Sequence, residues 1–442
     1  MGKEIFEQLQ RGRITRRAFL KGLGLGVGTV ALSGLVGFRS FGKPPVTKVG
    51  ATFPFTGTGG EFGPVYRNTA ELCVRQINEA ANEVFGGPIM EIIIEDDATT
   101  PSIGVDRARK LVEVDGVPVL ISTWSSGVTI AIAESVTMPA KILHIVPIAT
   151  SPLIAVLPAD TDDLLFRTDG SDALQGVVAA QLAAGEIIPG YKFKTAATIY
   201  VNNPYGQGLS NVFSRSFQLR GGLVTAQVPI PDEPKPTYTS ELALALKDKP
   251  EVLLPMVYPG HGTILLSESR DIFGYTSWQF CDALKSLEVF NALGGELLDG
   301  KLGTVQAADY ERASFQRFAA DYKAAYGEPP PYPYMDTTYD AVAAAGLAIA
   351  KAVADGVPIT PFNLRDRLRP VCNPPGEVVG VGEFLKAFQM MKAGVDINFS
   401  GAAGEVDFDQ FGEVVTPIEI WKFTKTGIER VALRRADQIP TE

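Results

Sequence analysis

From Val46 onward, short apolar runs alternate with longer stretches of helical period. Strand-like runs fall at 47–53, 90–95, 118–122, 142–146, 195–201, 223–228, 251–256, 277–281 and 302–306, with a last one at 417–424. Several are almost continuously apolar, the pattern of parallel strands covered on both faces. Between them, 63–84, 172–186, 206–220, 238–248, 260–273, 311–326 and 336–354 read as helices. In the first of these, Cys73, Ile77, Ala80 and Val84 make one apolar stripe. Alternating β and α predicts parallel sheets covered by helices. The body is too long for one such core, so the pattern predicts two α/β lobes with crossings near 168–171, 306–309 and 410–417. Ligand sites in such folds lie between lobes, at the C-terminal ends of parallel strands.

The first 45 residues have another character. Thr15-Arg16-Arg17-Ala18-Phe19-Leu20-Lys21 precedes an uncharged, glycine-rich stretch from Gly22 to Phe38. That layout predicts a twin-arginine export signal, or an N-terminal anchor if uncleaved. Both place the body outside the cytoplasm. Eight Lys/Arg and two Asp/Glu give this segment +6, leaving −16 for the remainder of a chain whose net charge is −10. An acidic exported body is poorly suited to nucleic acid or an anionic membrane surface.

Composition narrows the chemistry further. The chain has two histidines, His144 and His261, and three widely spaced cysteines, Cys73, Cys281 and Cys372. No spacing fits a zinc or iron–sulfur cage, and no cofactor is implied. Glu95, Asp96 and Asp97 follow an apolar strand and read as a solvated strand end rather than a metal site. A hydrolase built on Ser125 or Ser126 lacks a positioned base.

The remaining candidates sit where strands run into helices. Phe62 closes the glycine-rich segment 53–63, either as cleft wall or as core. Ser125 and Ser126, in Ser122-Thr123-Trp124-Ser125-Ser126-Gly127, gather hydroxyls and backbone N–H groups at a helix start, a setting that receives a carboxylate or serves as a plain cap. Thr150 adds a hydroxyl after the next strand, in Val146-Pro147-Ile148-Ala149-Thr150-Ser151. Tyr205 and Tyr258 offer rings at two later strand-to-helix turns. Asp282, after another apolar run, is placed to hold an ammonium or to cap a helix.

In this order and spacing, these segments resemble the branched-chain amino-acid-binding family. Its members are type I periplasmic binding proteins that feed ABC transporters. Further matching pieces are Phe166-Arg167-Thr168, Ser171-Asp172-Ala173-Leu174-Gln175-Gly176, Val201-Asn202-Asn203-Pro204-Tyr205-Gly206, Asn373-Pro374-Pro375-Gly376 and Phe399-Ser400-Gly401-Ala402-Ala403-Gly404. The resemblance implies two doubly wound parallel-sheet lobes joined by a three-strand hinge. It implies 46–168 plus 308–412 as one lobe and 169–307 plus 413–442 as the other. It also implies roles: Ser125, Ser126 and Thr150 for a ligand carboxylate, the Ile148 carbonyl and Asp282 for its amine, and Phe62, Tyr205 and Tyr258 as flanking rings. The expected protein is a monomer, not an enzyme. It captures a small neutral amino acid of the branched-chain type by hinge closure and passes it to a permease. Trp124 and the short Asp282 depart from the family pattern and leave open a second reading, an aromatic carboxylate or an amide- or urea-type ligand.

Overall fold

The computed structural model describes residues 43–440. The Arg16-Arg17 signal pattern lies outside the described residues. Five strands form the first sheet: β1 (Thr47–Phe53), β2 (Met90–Asp96), β3 (Val119–Ser122), β4 (Leu143–Val146) and β5 (Leu165–Arg167). All its pairings are parallel, in the order β2-β1-β3-β4-β5. Val49, Ala51, Ile121, Leu143 and Ile145 are fully buried, because helices cover both faces of the sheet. The expected helix over 63–84 runs Gly63–Phe85 and ends at Gly86, whose φ of 82° is the left-handed stop that favours glycine.

The second sheet begins as expected. β6 (Thr195–Val201), β7 (Leu223–Ile230) and β8 (Val252–Met256) pair in parallel, in the order β7-β6-β8. The strand expected at 277–281 is reduced to two parallel bridges, Leu253 with Trp278 and Phe280 with Gly303. These lead to β9 (Leu302–Gln306). Two short strands, β10 (Glu377–Gly380) and β11 (Ile397–Ser400), form a separate parallel pair. β12 (Ile418–Thr424) then pairs antiparallel with β9 and with β13 (Gly427–Arg434). Parallel geometry therefore stops at β9. The two-residue turn Lys425-Thr426 between β12 and β13 permits only an antiparallel return, since a parallel one needs a long crossover.

The three chain crossings meet at Gly170. A Cβ there would lie 2.2 Å from Thr416 Oγ1 and 3.1 Å from Gln306 Cγ, so only glycine lets them come so close. Beside it, the Ala307 N–H donates to the Pro417 carbonyl at 3.0 Å. No helix among the described residues is long and apolar enough to cross a membrane.

Candidate functional site

The candidate residues follow the C-terminal ends of parallel strands, where such folds present functional loops, except Asp282, which follows the bridged run at Trp278 and Phe280. After β3, Ser125 is the N-cap of the short helix Ser126–Ile132, yet its side chain makes no capping bond. Its hydroxyl lies instead beside the Tyr258 hydroxyl, which comes from the end of β8. Ser126 Oγ accepts the Ser151 N–H at 3.2 Å and so ties the β3 and β4 loops together. After β6, Asn203 caps the helix Pro204–Leu219 through the Tyr205 and Gly206 N–H groups. Its Nδ2 donates to the Tyr258 hydroxyl at 3.0 Å. The ring of Tyr205 thereby stacks on Tyr258, with centroids 5.4 Å apart and planes 11° off parallel.

These loops enclose a cavity lined by Trp124, Ile148, Thr150, Tyr205, Tyr258, Asp282, Ala283 and Tyr334. It has room for about one water molecule, so the cleft is closed. Further contacts hold it shut. Ser151 Oγ donates to the Pro204 carbonyl at 3.0 Å. Glu61 accepts the Ser286 hydroxyl, the Glu288 N–H and the Tyr332 hydroxyl. A larger cavity of about 230 Å³ lies alongside, between Tyr310, Phe315, Pro330 and Asp336. It shares Tyr334 with the first, but none of the sequence-predicted site residues lines it.

Two buried carboxylates dominate the electrostatics. Asp282 accepts the Tyr205 hydroxyl at 2.8 Å, Gln175 Nε2 at 3.1 Å and the Tyr334 hydroxyl at 3.0 Å. Asp172 accepts the Thr150 hydroxyl at 2.9 Å and Gln306 Nε2 at 3.4 Å. Burial pushes both carboxyls above the usual range, and for Asp172 the Asp282 charge adds to the rise. Among the described residues no basic side chain pairs with Asp282. Arg167 is also fully buried, and it holds the loop that carries Thr150. Its Nη1 donates to the Ala149 and Ser151 carbonyls, while Nη2 pairs with Glu413.

With this geometry, comparison with known proteins is direct. A family model described as periplasmic binding protein matches residues 46–372. The chain belongs to the periplasmic binding protein family. A chemotactic signal transduction system substrate-binding protein, BasB of Halobacterium salinarum, is 26% identical over 87% of this chain and 88% of its own. A Leu/Ile/Val-binding protein homolog of Brucella abortus is 35% identical over 41% of this chain and 46% of its own. Among solved structures, a leucine-binding protein from Thermotoga maritima superposes with a TM-score of 0.71 at 20% identity, covering 89% of this chain and 100% of that one. A solute-binding protein from R. palustris, solved with benzoate, gives 0.66 at 20% identity, covering 88% and 96%. This fold is therefore the type I periplasmic binding protein fold. Membership makes the chain an extracytoplasmic solute-binding protein, not an enzyme.

For a periplasmic binding protein the placement of each predicted residue is informative. Ile148, Thr150, Tyr205, Tyr258 and Asp282 line the cavity together. Ser125 and Ser126 do not line it; Ser125 bonds the lining Tyr258, and Ser126 bonds the loop that carries Thr150. Phe62 does not reach it. That ring is buried behind Trp124, 5.1 Å from the indole and 5.1 Å from Tyr332. Tyr334 and the inner pair Asp172–Gln175 were not among the sequence candidates. Asp172 and Gln175 stand in a segment that resembles the family; Tyr334 lies in a proline-rich turn with nothing local to mark it.

The histidines do not complete a hydrolase. His144 is buried, with Ser122 Oγ at Nε2, 2.6 Å away, and Thr137 Oγ1 at Nδ1, 3.0 Å away. Burial lowers its pKa to about 3, so it is a neutral core group. His261 Nε2 meets the Asp232 carbonyl, and burial lowers its pKa to about 4. Neither bonds Ser125 or Ser126. The acidic run also differs from expectation. Asp97 is buried, its carboxyl accepting the Thr123 hydroxyl and the Thr99 N–H. All three cysteines are free and buried. No acidic, histidine or cysteine cluster among the described residues is arranged to hold a metal.

Proposed function

We propose that this protein captures a neutral amino acid between two lobes, 46–168 plus 308–412 and 169–307 plus 413–442, and delivers it to an ABC permease. One observation carries the reading. Asp282 is a carboxylate buried with three neutral donors and, among the described residues, no cation. Burying a charge in this way is unfavourable unless an opposite charge arrives. A ligand ammonium supplies that charge, together with a charge-assisted hydrogen bond. Ser125, Ser126 and the Ile148–Thr150 loop offer donors for the ligand carboxylate. Contacts made only in the closed state then favour closure. An N-terminal twin-arginine signal fits delivery outside the cytoplasm, and nothing in the reading requires more than a monomer.

A thermal-shift panel tests it. Ligand at a hundredfold excess over its dissociation constant stabilises by about 2.7 kcal/mol. Amino acids are expected to raise the melting temperature of the wild type. Asp282→Asn is expected to lose that shift while melting no lower without ligand, since it removes a buried charge. Retention of the shift in Asp282→Asn overturns the reading.

The rings favour a second reading. Trp124 and Tyr258 lie 4.6 Å apart, and Tyr205 continues the stack. An aromatic carboxylate or an amide- or urea-type ligand would then meet a protonated Asp282 as donor. A shift with benzoate or a small amide, and none with amino acids, would select it.

A further inference from the structure

The amino-acid reading, on which this inference rests, leaves the side chain of the ligand open. The cavity walls restrict it. With the ammonium on Asp282 and the carboxylate toward Ser125 and the Thr150 loop, the third substituent must point at Trp124, Ile148, Tyr258 or Ala283. The indole of Trp124 forms one wall of that space. It reaches across the cleft to within 4.6 Å, centroid to centroid, of the Tyr258 ring.

Nor has it room to withdraw. Phe62 is packed behind it at 5.1 Å and is itself held by Tyr66 and Tyr332. On the remaining side the indole lies directly on the backbone at Gly59, where a Cβ would come within 2.6 Å of Trp124 Cε3. Gly59 is in turn fixed by its N–H bond to Thr99 Oγ1 at 3.1 Å. A ring locked on these sides acts as a rigid filler, and a larger ligand side chain has to displace packed core.

We propose that Trp124 sets the size limit of the site, and that the ligand carries a short side chain, of alanine or serine size, rather than a leucine-sized one.

Isothermal titration of the purified protein with glycine, alanine, serine, valine and leucine tests this. Wild type is expected to bind alanine or serine, and leucine roughly ten- to a hundredfold more weakly, the discrimination a packed apolar pocket achieves over extra methylenes. Trp124→Ala is expected to reverse that order. Trp124→Phe retains a ring and guards against loss of fold; it is expected to fall between the two. Leucine binding to wild type as tightly as alanine overturns the proposal, as does an unchanged order in both variants. If no amino acid binds wild type or either variant while benzoate or an amide does, the amino-acid reading itself has failed and the size limit falls with it. Tryptophan fluorescence gives an independent readout, because the other two tryptophans, Trp278 and Trp421, are buried away from this cavity.

Discussion

The Ser125 hydroxyl lies 3.1 Å from the Tyr258 hydroxyl, joining the end of β3 in the first sheet to the end of β8 in the second. This bond uses a hydroxyl that the proposed ligand carboxylate would claim. Closure without ligand and closure around ligand therefore compete for Ser125. Tyr258→Phe removes this bond and the one from Asn203 while keeping the stack on Tyr205. Each hydrogen bond contributes about 0.5–1.5 kcal/mol net. The ligand-free variant is expected to populate more open forms, seen as a larger radius of gyration in small-angle scattering. An unchanged radius would mean that this contact does not hold the cleft shut.

Arg167 organises the site from beneath. Removing it leaves Glu413 buried without its counter-charge and frees the Ala149 and Ser151 carbonyls. Breaking a buried pair on one side costs about 3–5 kcal/mol. Urea denaturation of Arg167→Ala should show a loss of that order. Adding Glu413→Gln should recover part of it, because the two changes share one interaction. Full additivity in that cycle would show that the pair is not coupled.

Asp97 gives the protein a pH dependence of definite sign. Burial raises its pKa from 3.8 to about 6, against the opposing bonds from Thr123 and the Thr99 N–H. The folded pKa lies above the unfolded one. Its contribution to stability is therefore complete below about pH 4 and is lost as pH rises to about 6. A shift of about two units corresponds to about 3 kcal/mol. Subtracting the stability curve of Asp97→Asn from that of wild type should isolate a fall of this order across pH 4–6. A flat difference would show that the carboxyl is solvated after all.

The sequence made the first sheet legible because its central strands are buried on both faces and so are mostly apolar. β13 is different. Its residues are mostly half-exposed at a sheet edge, and its register depends on a two-residue turn that no periodicity marks. The site divides in the same way. Strand-end loops announce Ser125, Thr150, Tyr205, Tyr258 and Asp282 by position alone. Tyr334 reaches Asp282 only because its backbone takes a left-handed φ of 66° after the proline run, which is a tertiary outcome. Phe62 shows the opposite limit. An aromatic in a glycine-rich loop can line a cleft or back another ring, and here Trp124 takes the front position. Asp97 was hidden for a related reason, since Thr123, which bonds it, follows the end of another strand.

Gly170 also bears on how far the protein has to move. Because the three crossings touch there, the proposed opening would turn about a narrow axis rather than slide one half past the other. Displacement about such an axis grows with distance from it. In the proposed opening, torsion at the backbones near Gly170, Ala307 and Thr416 would part the rim where Glu61 meets Ser286. A bulkier residue at 170 would press on Thr416 and Gln306, and through the bonds of Gln306 to Asp172 and Tyr334 the disturbance would reach the cavity wall.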